Sequence, residues 1–581
     1  MNASLLALPL VAALVACAPA AQVGARWFPP AVPASATLDV VDLRTATAGE
    51  KLAATTLQGL VNRETPATAY LLLGEHDVFW LDDLQQRGAV TSTTTRTLDE
   101  FFTLHADAFA GVVVPDPALP ATYNVATMMA GVWGAVVMEE AEVERLAGAK
   151  KVERLAGRWP TNLAAQQWAF EHLRPAMNPG ILACYHPTSI PHHIRDYLVQ
   201  QRVFTFWVTS EEKEDGVVSS YSAEKAFAEQ LLAATPASSP VIGFWYSGAD
   251  HGINEYHGVL LGGQHAVVTV PCDWGSNMSF LGGVGVDLPA AVRGWEERVA
   301  AVEKPPLDPA KVYLALDVID SGDAAHYWQT NQYRIFQDPA RGKVPINWSL
   351  GVATAELFPS VLAWHYEQAS GLDTFFCGMS GLGYCFPYLG FGSKRPDPGA
   401  VLADYVERTA AAMPPLGLRD LVLYTDSWKP FDREANAPVT DAFVQIPGLR
   451  TMILGFGRDG DEVPEPNYLL NEALVSHTMT RWDASNVGRN EANNQWLADE
   501  IRRHTPPTRP AFLHVQAMSW TYYPSDLAEV LELLGPEYQA LPLGHFDALC
   551  REHLAATPRV ATSGARGSGR AISACLSPAP F

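Results

Sequence analysis

The chain has 581 residues, 40 Lys and Arg against 63 Asp and Glu for a net charge of −23, and 48% hydrophobic but only 18% charged residues. At roughly 100–200 residues per domain the length suggests three or four units, and an apolar fraction near one half excludes wholesale disorder. The acid excess argues against nucleic acid and anionic membrane surfaces as partners, because both need a basic face.

Residues 5–21 are apolar and rich in small side chains, the length of a signal-peptide core and too short for a membrane span. Leu14-Val15-Ala16-Cys17 has the pattern of a lipobox, which would anchor the chain through Cys17, whereas Ala18-Pro19-Ala20 offers ordinary cleavage. The absence of Lys and Arg from residues 1–8 runs against either signal. The expectation is a signal over residues 1–20 and an exported chain that is secreted, periplasmic or lipid-anchored at the cell surface. No other stretch approaches the length of a span.

Apolar runs at 38–43, 69–73, 111–114 and 134–138 read as strands, with an amphipathic helix over 51–62 carried by Leu52, Leu57, Leu60 and Val61. The alternation continues with strands at 181–185, 203–208, 241–246 and 266–270 and a helix over 223–232. Such βα alternation predicts parallel sheets covered by helices, placed as one α/β domain over 37–138 and a second over 139–302. Phosphate fingerprints are missing: Gly282, Gly283 and Gly285 make no Gly-x-Gly-x-x-Gly turn, so nucleotide binding is not expected.

Glu303-Lys304-Pro305-Pro306-Leu307-Asp308-Pro309 is a linker, since proline blocks both helix and central strand. Beyond it, strands are predicted at 311–319, 345–350, 374–379, 420–424, 451–456, 473–478, 511–518 and 538–543. Helices fall between most of them, at 357–368, 401–412, 491–503, 527–534 and 545–554. Seven or eight strands in this length predict a (β/α)-barrel-like domain over 311–554, with an open doubly wound sheet as the alternative. The Gly- and Ser-rich tail over 555–581 reads as disordered.

In a barrel, chemistry sits where strands end. The first barrel strand ends Asp317-Val318-Ile319-Asp320-Ser321-Gly322-Asp323. Asp317 falls within the apolar run, where a buried carboxylate needs partners; Asp320 and Asp323 lie at the terminus, where helix caps and Asx-turns are the rival reading. Asn347-Trp348-Ser349 ends the second strand, as a sugar platform or a glycosylation sequon. Tyr424-Thr425-Asp426-Ser427-Trp428 ends the fourth and Ser519-Trp520 follows the seventh. After the third strand comes Ser380-Gly381-Leu382-Gly383-Tyr384-Cys385-Phe386-Pro387, which either presents Tyr384 and Phe386 to a ligand or forms a tight corner with its aromatics packed inward.

Cys377 and Cys385 are close enough in sequence to bridge, and free buried thiols fit equally well. No Cys-x-x-Cys, zinc-spaced cluster or His-Glu-x-x-His occurs, so neither metal nor cofactor is expected, and His192-His193 reads as a surface or capping feature.

The segment Gly381-Leu382-Gly383-Tyr384-Cys385-Phe386-Pro387 resembles the signature of the GxGYxYP putative glycoside hydrolase family, with Phe386 in place of the second Tyr. Leu57-Gln58-Gly59-Leu60-Val61-Asn62-Arg63, Ala121-Thr122-Tyr123-Asn124-Val125-Ala126 and Pro345-Ile346-Asn347-Trp348-Ser349 extend the resemblance over about residues 38–554. It implies an N-terminal α/β region before a barrel-like domain related to glycoside hydrolases, and hence a carbohydrate substrate. Asp320-Ser321-Gly322-Asp323-Ala324 departs from the Ser-Asp-Gly-Asp-Asn-like turn of relatives. Glycosidic hydrolysis generally uses two carboxyl groups, here expected from Asp320 or Asp323 and from Asp426, with Trp348, Tyr384, Phe386 and Trp520 lining the sugar site. The alternatives are a non-catalytic carbohydrate-binding protein, motivated by the altered turn, and a metal-dependent carbohydrate deacetylase, which would want histidines on the next strand, where Asn347-Trp348 stands instead, while His514 and His545 come late in the chain.

Overall fold

The computed structural model describes residues 26–190, 192–214, 216–246, 252–319, 322, 324–425, 431–455, 466–479 and 489–556. The N-terminal half contains three small parallel sheets. The first holds β1 (Ala34–Asp42), β2 (Ala67–Leu72) and β3 (Ser92–Arg96) in the order β2-β1-β3. The second holds β4 (Gly111–Val114), β5 (Ala135–Val137) and β6 (Lys151–Arg154) in the order β5-β4-β6. The third holds β7 (Leu182–Cys184), β8 (Phe204–Phe206), β9 (Pro240–Gly243) and β10 (Val268–Pro271) in the order β10-β9-β7-β8.

Helices connect the strands, as parallel pairing requires. The first, Ala48–Val61, starts at a capping box in which Thr47 accepts from the Glu50 amide and Glu50 accepts from that of Thr47. The boundary expected at 138/139 falls inside the second sheet, because β6 lies beyond it and pairs with β4. Polar β6, Lys-Val-Glu-Arg, is an edge strand without an apolar run to announce it.

The C-terminal half is a closed seven-stranded parallel barrel. Its strands are β11 (Val312–Ile319), β12 (Ile346–Leu350), β13 (Asp373–Cys377), β14 (Asp420–Tyr424) and β15 (Thr451–Gly455), then β17 (Ala473–Met479) and β18 (Ala511–Met518). β16 (Tyr468–Leu470) pairs antiparallel with β17 outside the ring, and β19 (Tyr538–Ala540) runs beside β11. Closure comes from β11, whose residues Val312–Leu314 pair with β19 while Asp317 and Val318 pair with β12. The expected eighth strand is thus a short wedge at the start of β11, and the ring closes without it.

Side-chain alternation divides the barrel core in two. On β11, Val312, Leu314, Leu316 and Val318 pack outward with the helix residues Leu497, Leu527 and Val530. Tyr313, Ala315 and Ile319 point inward with Phe376, Val422, Ile453 and Leu474. The helix Leu543–Ala556 closes the N-terminal end: Phe546 packs on Phe512 and His514, and Arg551 donates to the carbonyls of Arg450 and Glu472, which precede β15 and β17. The opposite, C-terminal end is where the βα loops gather. Among the described residues no helix is long and apolar enough to cross a membrane.

Candidate active site

The barrel interior holds one buried polar network one layer below the C-terminal rim. Asp317 is 1% exposed; its Oδ2 accepts from His514 Nδ1 at 2.6 Å and its Oδ1 from Asn347 Nδ2 at 2.9 Å. Asn347 Oδ1 in turn accepts from Thr374 Oγ1 and, at 3.2 Å, from the Leu543 amide that begins the closing helix. Burial raises the Asp317 pKa, opposed by the His514 charge and by the two hydrogen bonds. The network ties β11, β12, β13 and β18 to the plug, so Asp317 has the partners that a buried carboxylate needs. It lies beneath Ile319 rather than at the rim.

Asn347 occupies the interior, and strict alternation therefore sends Trp348 outward. Its ring is 1% exposed, packs 5.0 Å from Phe336, and donates Nε1 to Asp373 Oδ1 at 2.9 Å. Trp348 is thus part of the layer between barrel and helices, not a sugar platform. The sequon reading fails on the same geometry, since the Asn347 amide is enclosed in the barrel.

The signature loop after β13 forms the joint between barrel and third sheet. Tyr384 makes an antiparallel bridge to Thr269 of β10, its amide donating to the Thr269 carbonyl at 2.8 Å and its carbonyl accepting at 3.2 Å. Both motif glycines are required sterically. Gly381 has φ +112°, and a Cβ there would lie 2.6 Å from Thr409 Oγ1. At Gly383 a Cβ would lie 2.7 Å from the Thr269 carbonyl oxygen, against the bridged strand. Gly383→Ala is accordingly expected to cost about 2 kcal/mol through forced separation of loop and strand, read as a lower urea midpoint for the full chain. An unchanged midpoint would refute the close-approach account.

The loop packs its aromatics inward. Tyr384 is 5% exposed and donates its hydroxyl to Glu255 Oε1 at 3.0 Å, and Phe386 packs against Tyr256 and Tyr424. Neither ring offers an open face, which corrects their expected role as sugar-lining residues. Cys377 and Cys385 are separate buried thiols: Cys377 Sγ lies 3.4 Å from the Gly381 carbonyl and Cys385 Sγ 3.4 Å from the Tyr405 hydroxyl. Burial pushes both thiols up to about 12.

Glu255, the first residue of the helix Glu255–Gln264 in the third sheet's layer, has its pKa raised by burial, with the Tyr384 hydrogen bond acting the other way. Sequence reading missed it, because Tyr384, to which it is hydrogen-bonded, lies 129 residues away across a domain junction. Trp520 follows β18 at the C-terminal end of the barrel and is partly exposed. Asp320, Asp323 and Asp426 lie outside the described residues, as does Cys17; Asp320 directly follows β11 and Asp426 comes two residues after β14. Among the described residues no group of three or more His, Cys, Asp or Glu is arranged to hold a metal ion.

Family profiles match four consecutive segments of the chain. They are the GxGYxYP_N 1st domain over residues 37–105, the GxGYxYP_N second domain over 109–177 and the GxGYxYP third domain over 179–283. The GxGYxYP putative glycoside hydrolase C-terminal domain follows over 310–551. The first three ranges each hold one of the three sheets, and the fourth holds the barrel. Among solved structures, a putative hydrolase from Bacteroides thetaiotaomicron VPI-5482 aligns with a TM-score of 0.73 at 19% identity, over 91% of this chain and 99% of that one. This likeness establishes a shared fold. A putative polysaccharide deacetylase from Mycobacterium smegmatis aligns with a TM-score of 0.27 at 11% identity, over 43% of this chain and 96% of its own. No curated protein matches the chain. With every domain of the architecture matched in order, the chain belongs to the GxGYxYP putative glycoside hydrolase family.

Proposed function

We propose that the chain is an exported glycoside hydrolase that cleaves glycosidic bonds at the C-terminal mouth of its barrel. The observation that carries this reading is the coincidence of the family's hydrolase domain, over residues 310–551, with a closed parallel barrel plugged at its N-terminal end. In such barrels substrates reach the strand ends at the C-terminal face. Asp320 or Asp323, next after β11, and Asp426, after β14, are the carboxyl groups assigned to acid and base or nucleophile, on chain position and chemistry. Trp520 is the aromatic assigned to the sugar at the same end.

Hydrolysis of a panel of aryl glycosides and polysaccharides tests the reading. Asp320→Asn and Asp426→Asn are each expected to lower kcat by about 10²–10⁴-fold on whichever substrate the wild type cleaves. Unchanged turnover in both variants would overturn the assignment. A wild type that binds glycans but releases no product would favour the carbohydrate-binding alternative, to which the Asp320-Ser321-Gly322-Asp323-Ala324 turn lends itself.

A further inference from the structure

The third sheet has the order β10-β9-β7-β8, so successive strands are added first on one side of β7 and then on the other. In open parallel sheets the crevice beyond the carboxyl ends of the strands at such a reversal is where ligands bind. Two segments leave these strand ends and meet: His192 and His193 after β7, and Asp273 and Trp274 after β10. A third group comes from the barrel. His326, seven residues beyond the end of β11, brings its Nδ1 within 3.8 Å of Asp273 Oδ1. The carboxyl edge of the third sheet therefore adjoins the barrel at the end of its first strand.

The chemistry of this junction is unlike that of a packed interface. Trp274 is 46% exposed, although its ring centroid lies 5.2 Å from that of His193, which is itself 4.3 Å from His192. The Nδ1 atoms of His192, His193 and His326 are all buried and take no hydrogen bond from the described residues. A buried polar atom without a partner costs about 1–3 kcal/mol, so three around one half-exposed tryptophan call for polar partners from outside the chain. This contradicts the expectation that His192-His193 is a surface or capping pair.

We propose that Trp274, Asp273, His193 and His326 form a subsite for one ring of a neutral sugar, supplied by the third domain to the barrel mouth. The inference rests on the glycoside hydrolase reading for its substrate class. Trp274 gives the apolar face that stacks on sugar C–H groups. Asp273 supplies a carboxylate acceptor, the His193 imidazole a donor and an acceptor, and the His326 imidazole, already hydrogen-bonded to the Pro271 carbonyl, an acceptor at Nδ1, together the complement of ring hydroxyls. Burial holds His192 and His326 down at about 4, and nearby Lys51 and Arg195 act on His192 in the same direction. The imidazoles are consequently neutral at neutral pH, and beside a carboxylate they suit hydroxyls rather than an acidic sugar.

Titration calorimetry of the full chain with cello-, xylo-, manno- and galacto-oligosaccharides, and with oligogalacturonate as the acidic comparison, tests the subsite. At least one neutral series should bind, with Trp274→Ala weakening Kd about tenfold and Trp274→Phe less than about threefold, since a ring is kept. The half-exposed position predicts unchanged thermal midpoints for both variants. Equal affinity of Trp274→Ala and wild type, tightest binding of oligogalacturonate, or no binding of any neutral series would each overturn it. Binding that depends on Trp274 without product release supports the subsite and rejects hydrolysis. Hydrolysis with a KM indifferent to Trp274→Ala does the reverse.

Discussion

Asp317→Ala is expected to destabilise the chain by about 3–5 kcal/mol, the cost of leaving two buried hydrogen-bond donors without their acceptor. The residue stands where four barrel strands and the closing helix are joined by side-chain hydrogen bonds. Its removal strands His514 Nδ1, now at 2.6 Å from the carboxylate, and Asn347 Nδ2, at 2.9 Å. His514 Nε2 already takes no hydrogen bond from the described residues, so among them the imidazole would have no partner on either nitrogen. A cavity at a site that is 1% exposed adds to the cost. Asp317→Asn keeps the volume and one acceptor and should lose less than half as much. Urea unfolding of the three proteins, followed by tryptophan fluorescence, reads the difference. A loss below about 1 kcal/mol for alanine would show that the network does not hold the barrel.

The same residue shows how far sequence alone reaches. An aspartate inside an apolar run announces its need for a partner, and His514 is available late in the chain, but only closure of the ring puts β18 beside β11. The barrel strands themselves were legible because fully buried parallel strands are continuous apolar runs; residues 420–424 and 511–518 begin and end where the sequence pattern does. Edge strands carry no such signal. β3 reads Ser-Thr-Thr-Thr-Arg and β6 Lys-Val-Glu-Arg, both polar because an edge is half in water. The helix Arg433–Phe443 was hidden for another reason, an internal Pro438 that argues against helix.

At the site, the errors follow from one unknown, the facing of side chains. Asn347 and Trp348 are neighbours, and only the register with β11 decides that the amide is inside and the indole outside. The signature loop was legible as a glycine-dependent corner, but its pairing with β10, a strand expected at 266–270, was not, so its aromatics could be read as facing either way. Trp274, Asp273 and Glu255 belong to a different domain from the barrel; no pattern within the chain signals that two carboxyl edges meet.

Acidification should weaken the junction between the first domain and the barrel, and His365 is the group that makes this testable. It sits in the helix Pro359–Gln368 with Nδ1 2.8 Å from the Val361 carbonyl and Nε2 buried without a hydrogen bond from the described residues. Around the ring stand Trp80 from the first domain and Trp328, Phe336 and Trp364 from the barrel, at centroid distances of 4.8–5.9 Å. Burial pushes its pKa down to about 3; the Val361 hydrogen bond opposes this, and the Arg341 charge adds to it. In the unfolded chain the value returns to about 6.5. Between these values the unfolded chain holds one more proton than the folded one, so stability is full above about 6.5 and is lost as pH falls. The loss from this one group is about 2 kcal/mol by pH 5, at 1.36 kcal/mol per tenfold in proton activity. Other buried groups titrate in the same range, and the comparison must be a difference. His365→Phe keeps an aromatic ring in the cage and removes the proton site. Its stability should fall about 2 kcal/mol less than that of the wild type between pH 7 and pH 5, measured by urea midpoints at each pH. Equal acid sensitivity of the two proteins would mean that His365 is already charged, or free to be, in the folded chain, and that the aromatic cage does not exclude a proton.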